Sequence, residues 1–124
     1  MIFERWDVAL SLFPFVERDR AKLRPIVVLS QAWFHREHDV VVAAMITTAA
    51  GGRWPSDLDI IDLSSAGLRR ACVVRWKLFT LATSLLARRV GAIGDADRPQ
   101  LAASLSRLLP LSDRPDQAAL ADPA

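Results

Sequence analysis

Arg24, Thr47, Thr48, Arg75 and Lys77 are the residues whose types and spacing point to chemistry. Each lies at or near one end of an almost wholly apolar run: KLRPIVVLS (22–30), DVVVAAMITT (39–48) and CVVRWKLFTL (72–81). Runs this rich in Val, Ile, Leu and Ala read as buried strands, so a cation or hydroxyl at the end of one projects from the rim of a rigid sheet. A guanidinium grips phosphate through paired N–H donors, and a hydroxyl orients a phosphate oxygen or a sugar hydroxyl. The expected chemistry is therefore anion binding, with phosphate the natural anion.

Arg75 and Lys77 alternate on one strand, which puts them on one face roughly 7 Å apart. Side by side they repel unless an anion or acidic neighbours compensate them. Taken singly, each residue has a plainer reading: Arg75 and Lys77 as a solvated face beside Asp or Glu, Arg24 in a salt bridge at a strand end, Thr47 and Thr48 satisfying loop amides. The convergence of three separate elements is what favours a site. Lys22 adds positive charge at the start of the first run, and Trp54 beside Pro55 can stack a base or cover an edge of the core.

Other chemistries lack their parts. Gly51-Gly52 has neither the spacing nor the following Lys-Ser or Lys-Thr of a nucleotide-phosphate loop, which excludes a kinase or ATPase. With one cysteine, Cys72, and two histidines, His35 and His38, no closed zinc set and no intramolecular disulfide can form, and no metal or cofactor is expected. Both histidines fall in a charged connector and read as surface residues, while Cys72 is expected to point into the core.

The elements that must position these residues follow from pattern. At 124 residues the chain is expected to be one domain. Hydrophobic residues make up 52% against 24% charged, with no run long enough for a membrane span, so surplus apolar surface is expected against a second subunit or partner. The formal charge is only +2, but Arg and Lys gather at 18–24, 69–77 and 88–89 while acid accumulates from Asp95 onward. A local basic face on a nearly neutral protein suits a polyanion. The single cysteine fits a cytoplasmic location, and the N-terminal stretch does not read as a signal peptide.

Strands are expected at Trp6 to Phe13, from Pro25, at Val40 to Ile46, Leu58 to Ile61, Cys72 to Phe79 and Arg88 to Ile93. Glu17 to Lys22 reads as a charged hairpin loop, 33–38 as a polar-aromatic connector and Ser64 to Gly67 as a turn or one helical turn. Asp95 or Asp97 can cap a last helix that tolerates Pro99 in its first turn. Its apolar stripe is Leu101, Ala102, Leu105, Leu108 and Leu109, and Pro110 stops it. Short strands with one terminal helix give a mainly β protein, a small antiparallel barrel or curled sheet; crossover helices for a βαβ fold are missing. Residues 1–110 are expected to form the domain and 111–124 a flexible tail.

In order along the chain, Phe13-Pro14-Phe15, a charged loop, KLRPIVVLS, VVVAAMITT, Trp54-Pro55-Ser56-Asp57, VVRWKLFTL and RRVGAIGDADRPQLAASLSRLL resemble the MazF/PemK toxins of bacterial toxin-antitoxin pairs, over roughly residues 4 to 109. The resemblance implies an SH3-like antiparallel barrel with a C-terminal helix, acting as a homodimer that cleaves single-stranded mRNA without metal. Attack of a ribose 2′-hydroxyl on the adjacent phosphate would leave a cyclic phosphate and a 5′-hydroxyl. It further implies inhibition by a cognate antitoxin, and contact with operator DNA only through the antitoxin complex.

Carried over by motif, Arg24 matches the arginine that stabilises the phosphate, Thr47 the threonine closing the third strand, and Thr48 an adjacent Ser or Thr. Arg75 matches an arginine assigned in some members as general acid. Lys77 stands where those members place an aspartate as general base. It therefore reads as an electrostatic stabiliser, with Glu17 or Asp19 in the loop as candidate proton acceptor; burial near Arg75 would make Lys77 itself a better one. A CcdB-like, non-enzymatic gyrase-binding toxin, or a catalytically degenerate member that only binds antitoxin or DNA, is the alternative.

Overall fold

The apolar runs become strands because both of their faces are buried. The computed structural model, which describes residues 2–12 and 22–112, contains β1 (Asp7–Leu12), β2 (Leu23–Val28), β3 (Val40–Thr47), β4 (Leu58–Asp59), β5 (Val73–Ala82) and β6 (Leu86–Ala92). They pair antiparallel in the order β4-β5-β3-β2-β1-β6. The fold is mainly β, as expected, and the anticipated barrel takes the form of a six-stranded sheet with β4 and β6 at its two ends.

Neighbouring residues on each strand feed different cores. Val8, Val27, Ala44 and Val74 join one cluster with Trp6, Ile60, Ile93 and Leu101. Ala9, Ile26, Val28, Ala43 and Leu81 join a second with Phe3, Val41 and Leu86. Side chains alternate across a pleat, so a strand covered on both faces reads as an unbroken apolar run rather than an alternating one. Burial of Leu81 in the second cluster also explains why β5 runs to Ala82, beyond the expected end at Phe79.

Residues expected to form a connector instead form a helix, α1 (Ala32–His38), closed by Asp39 in the left-handed region at φ 55° with its N–H donating to the His35 carbonyl. His35, expected at the surface, is buried. Its Nδ1 donates to the Phe3 carbonyl oxygen at 2.6 Å, which leaves Nε2 to accept from Ser30 Oγ at 2.6 Å, and Ser30 Oγ in turn accepts the Val42 N–H at 2.8 Å. The imidazole thus ties the N-terminal segment to β3, a role visible only once the chain is folded. His38 is exposed, as expected.

The last helix, α2 (Arg98–Leu108), carries Pro99 in its first turn and buries Leu101. Leu108 and Leu109, expected to complete its buried stripe, are 47% and 46% exposed. Asp97 occupies the N-cap position, but its carboxylate does not cap the helix. It accepts the Ile61 and Asp62 N–H groups, both at 2.9 Å, and so pins the loop after β4 to the start of α2. Gly67, at φ +71°, and Gly91 let the turn at 64–67 lie directly against β6. A Cβ on Gly67 would strike the Val90 carbonyl oxygen, and one on Gly91 would lie 2.5 Å from the Ser65 carbonyl oxygen. Asp7 closes the β1–β6 side with a 2.8 Å ion pair to Arg89.

Candidate functional site

The sheet register decides which of the expected residues meet. Ile26 of β2 pairs with Met45 of β3, and Met45 pairs with Arg75 of β5. Continuing the antiparallel register by two residues puts Arg24 opposite Thr47, on the same face as Ile26 and Met45. Arg24, Thr47 and Arg75 therefore share one face at one end of three adjacent strands. Lys22 is exposed just before β2, Thr48 is exposed just after β3, and the Thr48 carbonyl accepts Thr47 Oγ1 at 3.3 Å. Glu17 and Asp19 lie outside the described residues, as do Phe13 to Phe15.

Arg24 is half-buried, and its Nε is buried without a hydrogen-bond partner among the described residues. A buried guanidinium N–H left unpaired is costly, and an anion brought to this face supplies what it lacks.

Arg75 is held differently. Its Nε donates to Asp57 Oδ1 at 3.1 Å and its Nη2 to Asp57 Oδ2 at 2.8 Å, with a further 3.1 Å bond from Nη2 to the Gly52 carbonyl. The Asp57 side chain is fully buried and also accepts the Trp54 N–H at 2.9 Å. The hydrogen bonds from Arg75 hold the Asp57 carboxyl below its ordinary value despite burial, helped by the Trp54 N–H, and the same contact raises the Arg75 guanidinium. Arg75 is fixed as a cation with its Nη1 edge uncommitted to either partner. Asp57 was not singled out from the sequence, although it belongs to the Trp-Pro-Ser-Asp run; only the tight turn, closed by the Asp57 N–H on the Trp54 carbonyl at 3.0 Å, carries it to β5.

Trp54 lies against this pair, 41% exposed, with Arg75 Cζ 5.2 Å and Lys77 Nζ 5.9 Å from its ring centroid. Lys77 is exposed, so the burial that would have made it a better proton acceptor is absent. The β3–β5 register slips here: Ala44 pairs with Leu78 and the next residue, Met45, with Arg75, leaving Trp76 and Lys77 as a bulge. Such bulges re-aim side chains beside functional surfaces. Cys72 is buried, as expected, and desolvation pushes its thiol above the ordinary value against the opposing charge of Arg70.

Cations and hydroxyls along one rim of a small antiparallel sheet, with a C-terminal helix packed against it, define a mainly β protein. The chain belongs to the PemK-like, MazF-like toxin family of type II toxin-antitoxin systems, whose family model matches residues 4–109. Among solved structures, MazF from Deinococcus radiodurans is 21% identical and superposes with a TM-score of 0.67 over 90% of this chain and 99% of that one. The Mycobacterium tuberculosis toxin MazF-mt6 is 20% identical, with a TM-score of 0.67 over 86% and 99%. A mycobacterial endoribonuclease solved with its cognate antitoxin is 18% identical, with a TM-score of 0.68 over 91% and 98%. These likenesses show the fold. No curated protein sequence matches the chain.

Proposed function

We propose that this family member is an endoribonuclease that cuts single-stranded RNA without metal, through Arg24, Thr47 and Arg75. The supporting observation is the sheet register, which sets these three residues on one face, with the Arg24 Nε buried and without a hydrogen-bond partner among the described residues. The 2′-hydroxyl oxygen of the substrate forms a bond to phosphorus as the bond from phosphorus to the 5′ oxygen breaks. The hydroxyl proton passes to a base and a proton from water reaches the leaving 5′ oxygen, giving a cyclic phosphate and a 5′-hydroxyl. Arg24 and Arg75 stabilise the charge that builds on the equatorial oxygens, and Thr47 orients the ribose or a phosphate oxygen.

The local geometry supports two more specific roles. Arg75, locked to Asp57, acts as a fixed cation rather than as the proton donor. Asp57 is spent on Arg75 and buried, so the base comes from elsewhere, Glu17 or Asp19 being the candidates. Lys22, Thr48, Lys77 and Trp54 bind substrate around the phosphate. The similar mycobacterial endoribonuclease was solved with an antitoxin, which supports a cognate antitoxin here; a homodimer in the cytoplasm, touching operator DNA only through the antitoxin complex, completes the reading. Among the described residues no helix is long and apolar enough to cross a membrane. A gyrase-binding toxin would have no use for the Arg24, Thr47 and Arg75 set.

Purified protein in EDTA should cut single-stranded RNA to 5′-hydroxyl ends, and Arg24→Ala should abolish cutting. Cutting that persists in both Arg24→Ala and Arg75→Ala places the site elsewhere.

A further inference from the structure

We propose that the cleft between the Trp54 turn and α2 is a nucleobase subsite, taking the base of a nucleotide that flanks the phosphate held by Arg24 and Arg75. The inference rests on the endoribonuclease reading and extends it from the phosphodiester to the base beside it.

The cleft encloses about 340 Å³ and is lined by Trp54, Ser56, Trp76, Ser104, Arg107 and Leu108. Two indoles and a leucine provide the flat apolar surface on which unpaired bases stack. Trp76 belongs to the β5 bulge, and its Nε1 donates to Ser104 Oγ at 2.8 Å, which fixes the indole against α2. Trp54 is the shared wall: its ring lines the cleft and also carries Arg75 and Lys77 over it. A strand whose phosphate lies at those cations thus has an aromatic slot within one nucleotide's reach.

The polar groups suit a base edge. Arg107 is exposed and in no ion pair among the described residues, so its planar fork is available to base acceptors, and the Ser56 hydroxyl sits in the same lining. A peptide would instead favour an extended apolar groove or a sheet edge. The exposure of Leu108, unexpected for a stripe residue of an amphipathic helix, follows from its place at this opening.

The test is an abasic scan with short single-stranded DNA, which lacks the attacking 2′-hydroxyl and stays intact during the measurement. Wild type should bind about tenfold more weakly when one particular position beside the central phosphate is abasic. In the double variant Arg107→Ala/Leu108→Ala, both positions exposed and tolerant of change, that penalty should fall below about twofold. The variant Arg36→Ala on α1, which removes the same charge at a distance, should keep the wild-type penalty. A penalty that survives in the double variant, or no position-dependent penalty in wild type, while wild type still cuts RNA, overturns the subsite and leaves the cleft to a protein partner. Failure of wild type to cut any RNA overturns the reading beneath it.

Discussion

Asp57 grips Arg75 through both carboxylate oxygens, at 3.1 and 2.8 Å, from a turn eighteen residues earlier in the chain. The fork converts a mobile surface cation into a fixed one and stacks it beside Trp54.

Asp57→Asn keeps the shape of the side chain but loses the charged fork. RNA cleavage should fall about ten- to hundredfold, and Arg75→Ala should cost little more once Asp57 is changed, because the two act as one unit. The stability effect has a defined pH dependence. Since the folded carboxyl lies below its ordinary 3.8, its contribution is fully present above that value and is lost as the pH falls toward and through the lower folded value. Thermal unfolding of wild type and Asp57→Asn should therefore differ at pH 7 and converge in strong acid. A difference that stays constant into acid contradicts this assignment.

In the proposed site, Arg24 gives up stability for phosphate binding. Arg24→Met removes a buried N–H that has no partner, so the melting temperature should hold or rise, while RNA cleavage should drop about 10²- to 10³-fold, as expected for loss of a charge-stabilising donor. A clear fall in melting temperature would instead mark Arg24 as a structural residue.

His35 ties the N-terminal segment to the rest of the fold. His35→Ala leaves the Phe3 carbonyl and Ser30 hydroxyl without their buried partner and should destabilise the protein by about 1–3 kcal/mol in denaturant titration. Cleavage per folded molecule should be unchanged, since α1 supplies none of the proposed site.

Gly91→Ala should lower stability by about 1–3 kcal/mol, because the new methyl meets backbone that cannot step aside, the Ser65 carbonyl already being bonded to the Ala92 N–H at 2.9 Å. The same methyl at Gly52, where nothing lies within 4 Å, meets no steric obstacle and isolates the backbone effect of its φ of +106°.

Cys72 should react slowly with a thiol reagent in the native protein, by about tenfold or more relative to unfolded chain, because burial both shields the sulfur and disfavours its thiolate. Rapid labelling under native conditions would mean that the chain opens just ahead of β5.

The strands were legible because two-sided burial leaves unbroken apolar runs, and the shared face of Arg24, Thr47 and Arg75 could be anticipated because those residues interrupt the runs near their ends. What the pattern concealed depends on folded neighbours. A seven-residue helix with three basic side chains resembles a loop until His35 is seen gripping Phe3 and Ser30. Asp97 has the position of a helix cap, yet distant amides at Ile61 and Asp62 compete successfully for its carboxylate. Nothing local to Asp57 points to its role, because its partner is eighteen positions away.

The ion pair between Asp7 and Arg89 joins residues 82 positions apart, across the pairing of the first strand with the last. During synthesis β1 leaves the ribosome long before β6 exists, and contacts so distant in sequence form slowly. The sheet can be completed only once the chain has been made through Ala92. Whatever depends on the complete sheet therefore waits for the docking of β6 on β1.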